Sequence, residues 1–497
     1  MSLNYAKYGL GLLMLGGAML SPQAEARKLG ELDFQPCSLQ MSISAMTVSA
    51  QCARLKVAEN PAQPKGRQIE LALAWIPAKG EAEPDPVFML AGGPGQSALE
   101  SYPQLHSAFA DVIKKRHIIL VDQRGTGKSN ALVCKDESGK SAVAESEAVA
   151  ALDLNQAREF AKKCAVQIGK RANPAFYTTG HAIGDLDIVR QKMGAAKINL
   201  YGISYGTRVA QQYAKRFPQH TRSIVLDGVV PNSLILGAEH AANLEDALNL
   251  HFARCTADKI CKERFGNPRQ KLDALRAQLA TTPMIVNYND PMSGEPKQEK
   301  LNLAALASVA RMYSYSPMTA SMLPLVLTQA AQGNGAPLMA QAQMMDQTMN
   351  EAIMHGMQLS VICSEDAAEL KEDPATANTL IGNTMISFLK AQCEAWPQSK
   401  RAADFREPLK GNVPVLLLSG EFDPVTPPRY GDAVVKFLPN GRHVIVKGQG
   451  HNVMPVGCAP KIFARFIDSA NAKTLDVKCL DSLAYVPPFT GFYGWEP

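Results

Sequence analysis

Residues 200–207 read LYGISYGT, and this stretch decides the fold of the chain. It places the pattern Gly-x-Ser-x-Gly between a short apolar run, 197–201, and a run of good helix formers, 207–217, that ends before a proline. A serine on a sharp strand-to-helix turn needs small neighbours two positions away on each side, because the strand and helix backbones approach closely there. The stretch therefore predicts a nucleophile elbow at Ser204, although the five-residue pattern alone also occurs in ordinary turns.

Strand-like and helix-like runs alternate around this elbow. Residues 86–90 and 117–121 have the pattern of short buried strands, and 222–227 is a further strand after the elbow helix. Strands that alternate with helices predict an α/β fold with a mostly parallel sheet, helices on both faces of that sheet and active groups at the carboxyl ends of its strands. Residues 27–77 alternate polar and apolar side chains, which predicts antiparallel strands at one edge of the sheet.

The pattern changes between residues 232 and 410, where strand-like runs become sparse and helical runs dominate. This change predicts a large helical cap domain inserted into the α/β core. The first part of the core is then 27–231 and its last part 411–497. The insertion is rich in methionine, whose flexible thioethers either fill gaps in a core or line an adaptable cleft.

The composition is that of an ordinary globular protein. The chain has 497 residues, of which 46% are hydrophobic and 20% charged. Its formal charge of +5 is not gathered into basic runs, so a nucleic-acid partner is not expected. The glycines of 125–129 do not have the spacing of a phosphate-binding loop. We expect the partner to be a small molecule or a peptide.

The first 26 residues are typical of an export signal. Lys7 precedes the apolar stretch 8–20, and residues 24–26 give the small-x-small pattern of a cleavage site. We expect the mature chain to begin at Arg27, to be periplasmic or secreted, and to keep no membrane span. An uncleaved anchor is the alternative, but the apolar stretch is short for a bilayer.

Ten cysteines, an even number, indicate disulfides in an exported chain. No cysteines have the close paired spacing of a zinc or redox site, and we expect neither a metal nor a cofactor. Loop closure and chain order favour pairing between neighbours. The expected pairs are Cys37–Cys52, Cys134–Cys164, Cys255–Cys261, Cys363–Cys393 and Cys458–Cys479.

Three groups that could act together follow predicted strands in the order Ser204, Asp423, His451. A serine hydroxyl is a poor nucleophile at neutral pH, so an imidazole must take its proton while a carboxylate fixes the tautomer of that imidazole. This chain order is that of the α/β-hydrolase triad. Glu421 and Asp227 are the alternatives to Asp423.

Acyl transfer also needs N–H groups aimed at the developing oxyanion. The N–H of Tyr205 is one such donor, because Tyr205 directly follows the nucleophile. The loop 92–95, Gly-Gly-Pro-Gly, follows an earlier predicted strand and can supply the second donor from Gly93.

Four motifs together resemble the prolyl iminopeptidase and tripeptidyl aminopeptidase group of α/β-hydrolases. The resemblance covers nearly all of the mature chain, and its part from about 363 to 479 is similar to the tripeptidyl type. The motifs are GGPG at 92–95, DQRGTGKS at 122–129, GISYG at 202–206 and DPVTP at 423–427.

This resemblance implies an α/β-hydrolase fold and an aminopeptidase that removes N-terminal residues from peptides through an acyl-enzyme on Ser204. Ala91 stands where many relatives have histidine, so a specific iminopeptidase is not implied. A carboxylesterase or amidase on the same fold is the alternative, and a non-catalytic binding protein is a third possibility.

Selection of a free N-terminus requires acidic groups that meet an ammonium ion. The expected substrate-binding residues are Glu365 and Asp366, which follow Cys363 in a segment resembling an acidic cysteine motif of the tripeptidyl type. The alternative is a solvated acidic pair beside a disulfide.

Overall fold

A computed structural model of the chain describes residues 25–41, 46–135, 153–491 and 494. The expected export signal therefore lies almost wholly outside the described residues. The strands are β1 Arg27–Leu29, β2 Leu32–Gln40, β3 Thr47–Ala58, β4 Gln68–Ile76, β5 Val87–Leu90, β6 Ile118–Val121, β7 Ile198–Ile203, β8 Thr221–Asp227, β9 Met284–Asn289, β10 Pro296–Leu301, β11 Val415–Gly420 and β12 Gly441–Val446.

The α-helices are α1 Ala98–Leu105, α2 Leu154–Gly169, α3 Thr179–Lys192, α4 Tyr205–Arg216, α5 His240–Ala257, α6 Lys259–Phe265, α7 Pro268–Thr281, α8 Leu303–Tyr313, α9 Pro317–Ala320, α10 Leu323–Ala331, α11 Ala336–Ala352, α12 His355–Glu365, α13 Thr384–Ala395, α14 Pro428–Val435 and α15 Ala459–Ser469. Short 3₁₀ turns lie at His106–Phe109, Val112–Lys114, Pro174–Phe176, Pro218–His220, Ala367–Glu369, Pro374–Thr376 and Lys478–Ser482.

Ten of the described strands form one mixed sheet in the order β1-β2-β3-β4-β6-β5-β7-β8-β11-β12. The pairs from β1 to β4 and the pair β4–β6 are antiparallel. The pairs that join β6, β5, β7, β8, β11 and β12 are parallel. The predicted α/β fold with an antiparallel edge is confirmed. Because parallel strands end at one edge, the loops after β5, β7, β8, β11 and β12 meet there.

The central strands are buried on both faces of the sheet. Every residue of β5, β7 and β11 is buried, which explains why these strands read as continuous apolar runs. On one face, Val209 and Tyr213 of α4 pack against the sheet. On the other, Phe463 and Phe466 of α15 do so. Helices therefore cover both faces, as the sequence predicted.

The structure divides the predicted insertion, 232–410, into two parts. Helices α5, α7, α8, α10 and α11 surround a hydrophobic core of their own. This cap also contains the antiparallel hairpin β9–β10, which the prediction of a mainly helical insertion did not specify. The second part packs on the sheet, since Met357 and Ile362 of α12 and the nearby Trp396 belong to the core around α4. The separate hydrophobic core of the cap therefore involves only part of 232–410.

All five expected cysteine pairs are present as disulfides. Each closes a local loop, with sequence separations from 6 to 30 residues. Within the described ranges, no helix combines the length and the apolar character that crossing a bilayer would require.

Candidate active site

Ser204 lies at the turn between β7 and α4 with a left-handed backbone, φ +52° and ψ −121°. This conformation costs a non-glycine residue about 1–3 kcal/mol, so it persists only where the surrounding structure enforces it. Gly202 and Gly206 are needed here for steric reasons. A Cβ on Gly202 would collide with the carbonyl oxygen of Gly206, and a Cβ on Gly206 would collide with that of Leu90. The turn is therefore the elbow that the sequence predicted.

Asp423 and His451 follow the neighbouring strands β11 and β12 and are bonded to each other. Oδ2 of Asp423 lies 2.7 Å from Nδ1 of His451. Oδ1 of Asp423 accepts hydrogen bonds from the N–H groups of Val425 and Thr426, both at 2.8 Å. The carboxylate is thus held at both oxygens, and it fixes the orientation of the imidazole.

Burial and charge act in opposite directions on this pair. Burial favours the neutral acid, but the charge of His451 and the hydrogen bonds outweigh it, so the pKa of Asp423 is lowered. Burial also disfavours the imidazolium, but the charge and hydrogen bond of Asp423 outweigh it, so the pKa of His451 is raised. The pair is therefore suited to an ionised aspartate beside a histidine that can accept a proton.

Contacts with β8 bring Ser204 and His451 to the same edge of the sheet. The N–H of Ser204 donates to the carbonyl oxygen of Asp227 at 2.9 Å. The next residue, Gly228, faces the imidazole, because a Cβ there would lie 2.9 Å from Cε1 of His451. From the cap side, the ring of Tyr315 packs edge-on against His451 with centroids 5.2 Å apart.

The structure distinguishes Asp423 from the two alternative carboxylates. Glu421 accepts from the N–H of Gly448 at 2.7 Å and from the hydroxyl of Tyr485 at 3.1 Å. Asp227 accepts from backbone N–H groups beyond His451 rather than from its ring. Asp423 is therefore the carboxylate that holds the imidazole.

Thr426 is a member of this site that sequence reasoning missed. Its hydroxyl donates to Oδ2 of Asp423 at 2.7 Å and lies 3.1 Å from Nδ1 of His451. The motif at 423–427 contains this threonine, but the motif gives no indication of where its side chain points. Only the turn after β11 brings the hydroxyl back to the carboxylate.

The glycine loop 92–95 lies against the elbow. A Cβ on Gly92 would be 3.2 Å from Cβ of Ser204, and Gly93 has φ +105°, which favours glycine. Tyr205 is the first residue of α4, where an N–H has no partner inside the helix. Both expected oxyanion donors thus belong to segments adjoining Ser204.

Asp122, at the end of β6, is bonded to the start of α1, the helix that follows this loop. Its Oδ1 accepts from the hydroxyl of Ser97 at 2.6 Å and from the N–H of Leu99 at 3.1 Å. Its Oδ2 accepts from the N–H of Lys128 at 3.0 Å. The first residue of the 122–129 motif therefore anchors the start of α1, which follows the glycine loop, a role that sequence reasoning did not assign.

Glu365 and Asp366, the expected substrate-binding residues, are interior groups with partners inside the protein. Each is only 1% exposed. Glu365 accepts from the N–H and the hydroxyl of Thr179 at 2.7 and 2.9 Å. Asp366 forms ion pairs with Arg208 at 3.0 Å and Arg406 at 2.9 Å. The two residues are therefore a buried, hydrogen-bonded pair of acids rather than a solvated pair.

The pKa of Glu365 is raised to about 7 by burial and by the neighbouring charge of Asp366. Thr179, its partner, also lies 2.7 Å through its hydroxyl from the hydroxyl of Tyr205. Thr179 therefore links Glu365 to Tyr205, the first residue of the elbow helix α4.

Comparisons with known proteins agree with this geometry. Residues 85–251 match the family described as alpha/beta hydrolase fold, and residues 377–479 match the family described as TAP-like protein. Serine protease Hip1 of Mycobacterium tuberculosis is 24% identical over 515 aligned positions, which cover 96% of this chain and 98% of that protein.

Two further relatives match part of the chain. Tripeptidyl aminopeptidase of Streptomyces coelicolor is 31% identical over 218 positions, covering 42% of this chain and 39% of that protein. Carboxylesterase B of Mycobacterium tuberculosis is 32% identical over 225 positions, covering 43% of each. The chain therefore has an α/β-hydrolase fold with an alpha/beta hydrolase region at 85–251 and a TAP-like region at 377–479, in agreement with the resemblance of its motifs.

Proposed function

We propose that this protein is an exported serine aminopeptidase that removes N-terminal residues from peptides. The observation that carries the proposal is the 2.7 Å bond between Asp423 and His451, at the sheet edge where Ser204 occupies its strained turn. The relatives named serine protease and tripeptidyl aminopeptidase support a peptide as substrate. Five disulfides support a periplasmic or secreted location.

In this mechanism the hydroxyl of Ser204 attacks the scissile carbonyl while Nε2 of His451 takes the proton. The N–H groups of Gly93 and Tyr205 stabilise the oxyanion of the tetrahedral intermediate. The imidazolium, stabilised by Asp423, then protonates the departing amine, and the acyl-enzyme remains on Ser204. Water, activated by the same histidine, hydrolyses that ester and restores the enzyme.

The nucleophile is tested with Ser204→Ala. This variant should lose turnover and lose covalent labelling by a fluorophosphonate, while its melting temperature stays close to that of the wild type. Ser482→Ala, which changes an exposed serine far along the chain, is the matched control and should retain both activities. Turnover by a folded Ser204→Ala variant would end the assignment.

The substrate class is tested with three matched substrates: a free-amino peptide anilide, its N-acetylated form and a nitrophenyl ester. An aminopeptidase should have its highest kcat/KM on the free-amino peptide. The similarity to a carboxylesterase favours an esterase as the second candidate. A higher kcat/KM on the ester and the acetylated substrate would favour that candidate over the aminopeptidase.

A further inference from the structure

The end of β8 carries a buried carboxylate that the proposed chemistry does not use. Asp227 is 0% exposed, and among the described residues the groups that interact with it are two backbone N–H groups, a tyrosine hydroxyl and the charge of His451, with no lysine or arginine. Its oxygens accept hydrogen bonds from the N–H of Val453 at 2.8 Å, the N–H of Met454 at 3.0 Å and the hydroxyl of Tyr201 at 3.1 Å. An interior carboxylate without a cationic partner is costly, so these bonds indicate a specific role.

Two of the three donors belong to the segment that directly follows His451. Val453 and Met454 are separated from the histidine by Asn452, whose φ of +66° makes a left-handed turn. Asparagine tolerates that conformation better than most residues. The carboxylate of Asp227 therefore accepts hydrogen bonds from the backbone that directly follows this turn.

The main chain of the same residue is bonded to the nucleophile. The carbonyl oxygen of Asp227 accepts the N–H of Ser204 at 2.9 Å. Gly228, the next residue, has no side chain where a Cβ would lie 2.9 Å from Cε1 and 3.2 Å from Nδ1 of His451. One dipeptide thus touches both the segment of the nucleophile and the segment of the base.

We infer that Asp227 is a positioning residue that fixes the His451 loop relative to Ser204, while Asp423 fixes the imidazole ring. The inference rests on the proposed serine hydrolase function. Its physical basis is that proton transfer requires the base to stay within hydrogen-bond reach of the nucleophile. A misplacement of about 1 Å can lower the rate by a factor of about 100.

The test is Asp227→Asn. A carboxamide has one acceptor oxygen and an NH₂ donor, so one of the N–H groups of Val453 and Met454 would face another N–H group. We expect kcat to fall by about 10- to 100-fold while KM changes little. Labelling of Ser204 by a fluorophosphonate should slow by a similar factor, because labelling needs the same geometry but no peptide binding.

The pH profile gives a readout that a purely structural role would not move. The charged and titratable groups that act on His451 are Asp423, Asp227 and Arg311, with His240 also nearby. Burial raises the pKa of Asp227, against the bonds from Val453, Met454 and Tyr201 and the charge of His451. In its ionised form Asp227 favours the imidazolium, and Asp227→Asn removes that charge. The acid limb of kcat/KM should therefore move to lower pH in the variant.

Asp187→Asn is the matched control, since Asp187 is a buried carboxylate bonded to Arg190 and Tyr213. It should lower the melting temperature without changing kcat or the acid limb. A folded Asp227→Asn variant with wild-type kcat and labelling rate would overturn the inference. The loss of turnover in Ser204→Ala does not depend on Asp227. Failure of the positioning role of Asp227 can therefore be distinguished from failure of the proposed function.

If Asp227→Asn does not fold, hydrogen exchange of the wild-type protein tests the positioning role of Asp227. The amides of Val453 and Met454 should exchange slowly, because both are bonded to a buried carboxylate. Exchange as fast as that of exposed loop amides would also overturn the inference.

Discussion

Oδ2 of Asp423 lies 2.7 Å from Nδ1 of His451, and the two residues follow strands that are neighbours in the sheet. The side chain of Asp423 is fully buried and that of His451 is 4% exposed. The bond is therefore shielded from water, which strengthens it. Because Nδ1 takes part in this bond, Nε2 is the ring nitrogen left to accept a proton.

Asp423→Asn should lower kcat on the order of 10⁴-fold, because an amide at this position favours the wrong imidazole tautomer. KM should change little, since Asp423 is buried behind His451. Steady-state kinetics on a peptide anilide measures both constants. Glu421→Gln is the control, because Glu421 bonds to Gly448 and Tyr485 rather than to the imidazole. A folded Asp423→Asn variant with unchanged kcat would contradict the assignment.

The acid limb of kcat/KM should lie above the ordinary histidine pKa of about 6.5. The reason is that His451 must be neutral to accept the proton, and its pKa is raised by Asp423. Activity should therefore fall as the pH drops through this raised pKa. A pH series between about 5 and 9 with a substrate that does not titrate there measures the limb. A limb clearly below the ordinary value would show that the imidazole is not held by an ionised carboxylate.

Asp366→Asn should destabilise the fold by about 3–5 kcal/mol, because it leaves buried guanidinium charge without its carboxylate. Arg208 and Asp366 are both 0% exposed at the side chain. Glu369→Gln is the control, since Glu369 is 40% exposed and pairs with Arg401 and Arg406 near the surface. Chemical denaturation compares the two variants. Equal, small losses would mean that the buried pair contributes no more than a surface pair.

Glu365→Gln should leave the preference for a free over an acetylated N-terminus as it is in the wild type. Glu365 is 1% exposed and each of its oxygens accepts a hydrogen bond from Thr179, so we expect it to act as an internal acceptor rather than to bind the ammonium. The ratio of kcat/KM for the two substrates is the measurement. A ratio that falls tenfold or more, equivalent to about 1.4 kcal/mol, would restore Glu365 as a substrate-binding residue.

Removal of single disulfides should destabilise the protein in the order of the loops they close. In the chain-entropy model a loop of about 15 residues contributes roughly 3 kcal/mol, and longer loops contribute more. Replacing both cysteines of Cys363–Cys393, separated by 30 residues, should therefore cost more than replacing those of Cys255–Cys261, separated by 6. Thermal or chemical denaturation of the two double-serine variants tests the order. The reverse order would show that native-state packing outweighs loop closure.

The sequence by itself determined the elbow, the sheet class and the cysteine pairing. These features depend on interactions between residues that are near in the chain or on patterns with a fixed period. Gly202 and Gly206 are required by a collision within one turn, and the continuous apolar runs of β5 and β7 follow from burial on both faces. Each disulfide closes a loop of 30 residues or fewer, so proximity in sequence was a sufficient guide.

Only the tertiary structure decided the surroundings of the carboxylates. Asp366 appears from its segment to be free, but Arg208 lies 158 positions away in the sequence and reaches it from the elbow helix. Asp227 lies 226 positions from Val453, whose N–H it accepts. No local pattern encodes such contacts, because they arise when helices and loops from distant parts of the chain pack on the same sheet. The charge and accessibility of a buried acid depend on those contacts, so its role follows from the fold.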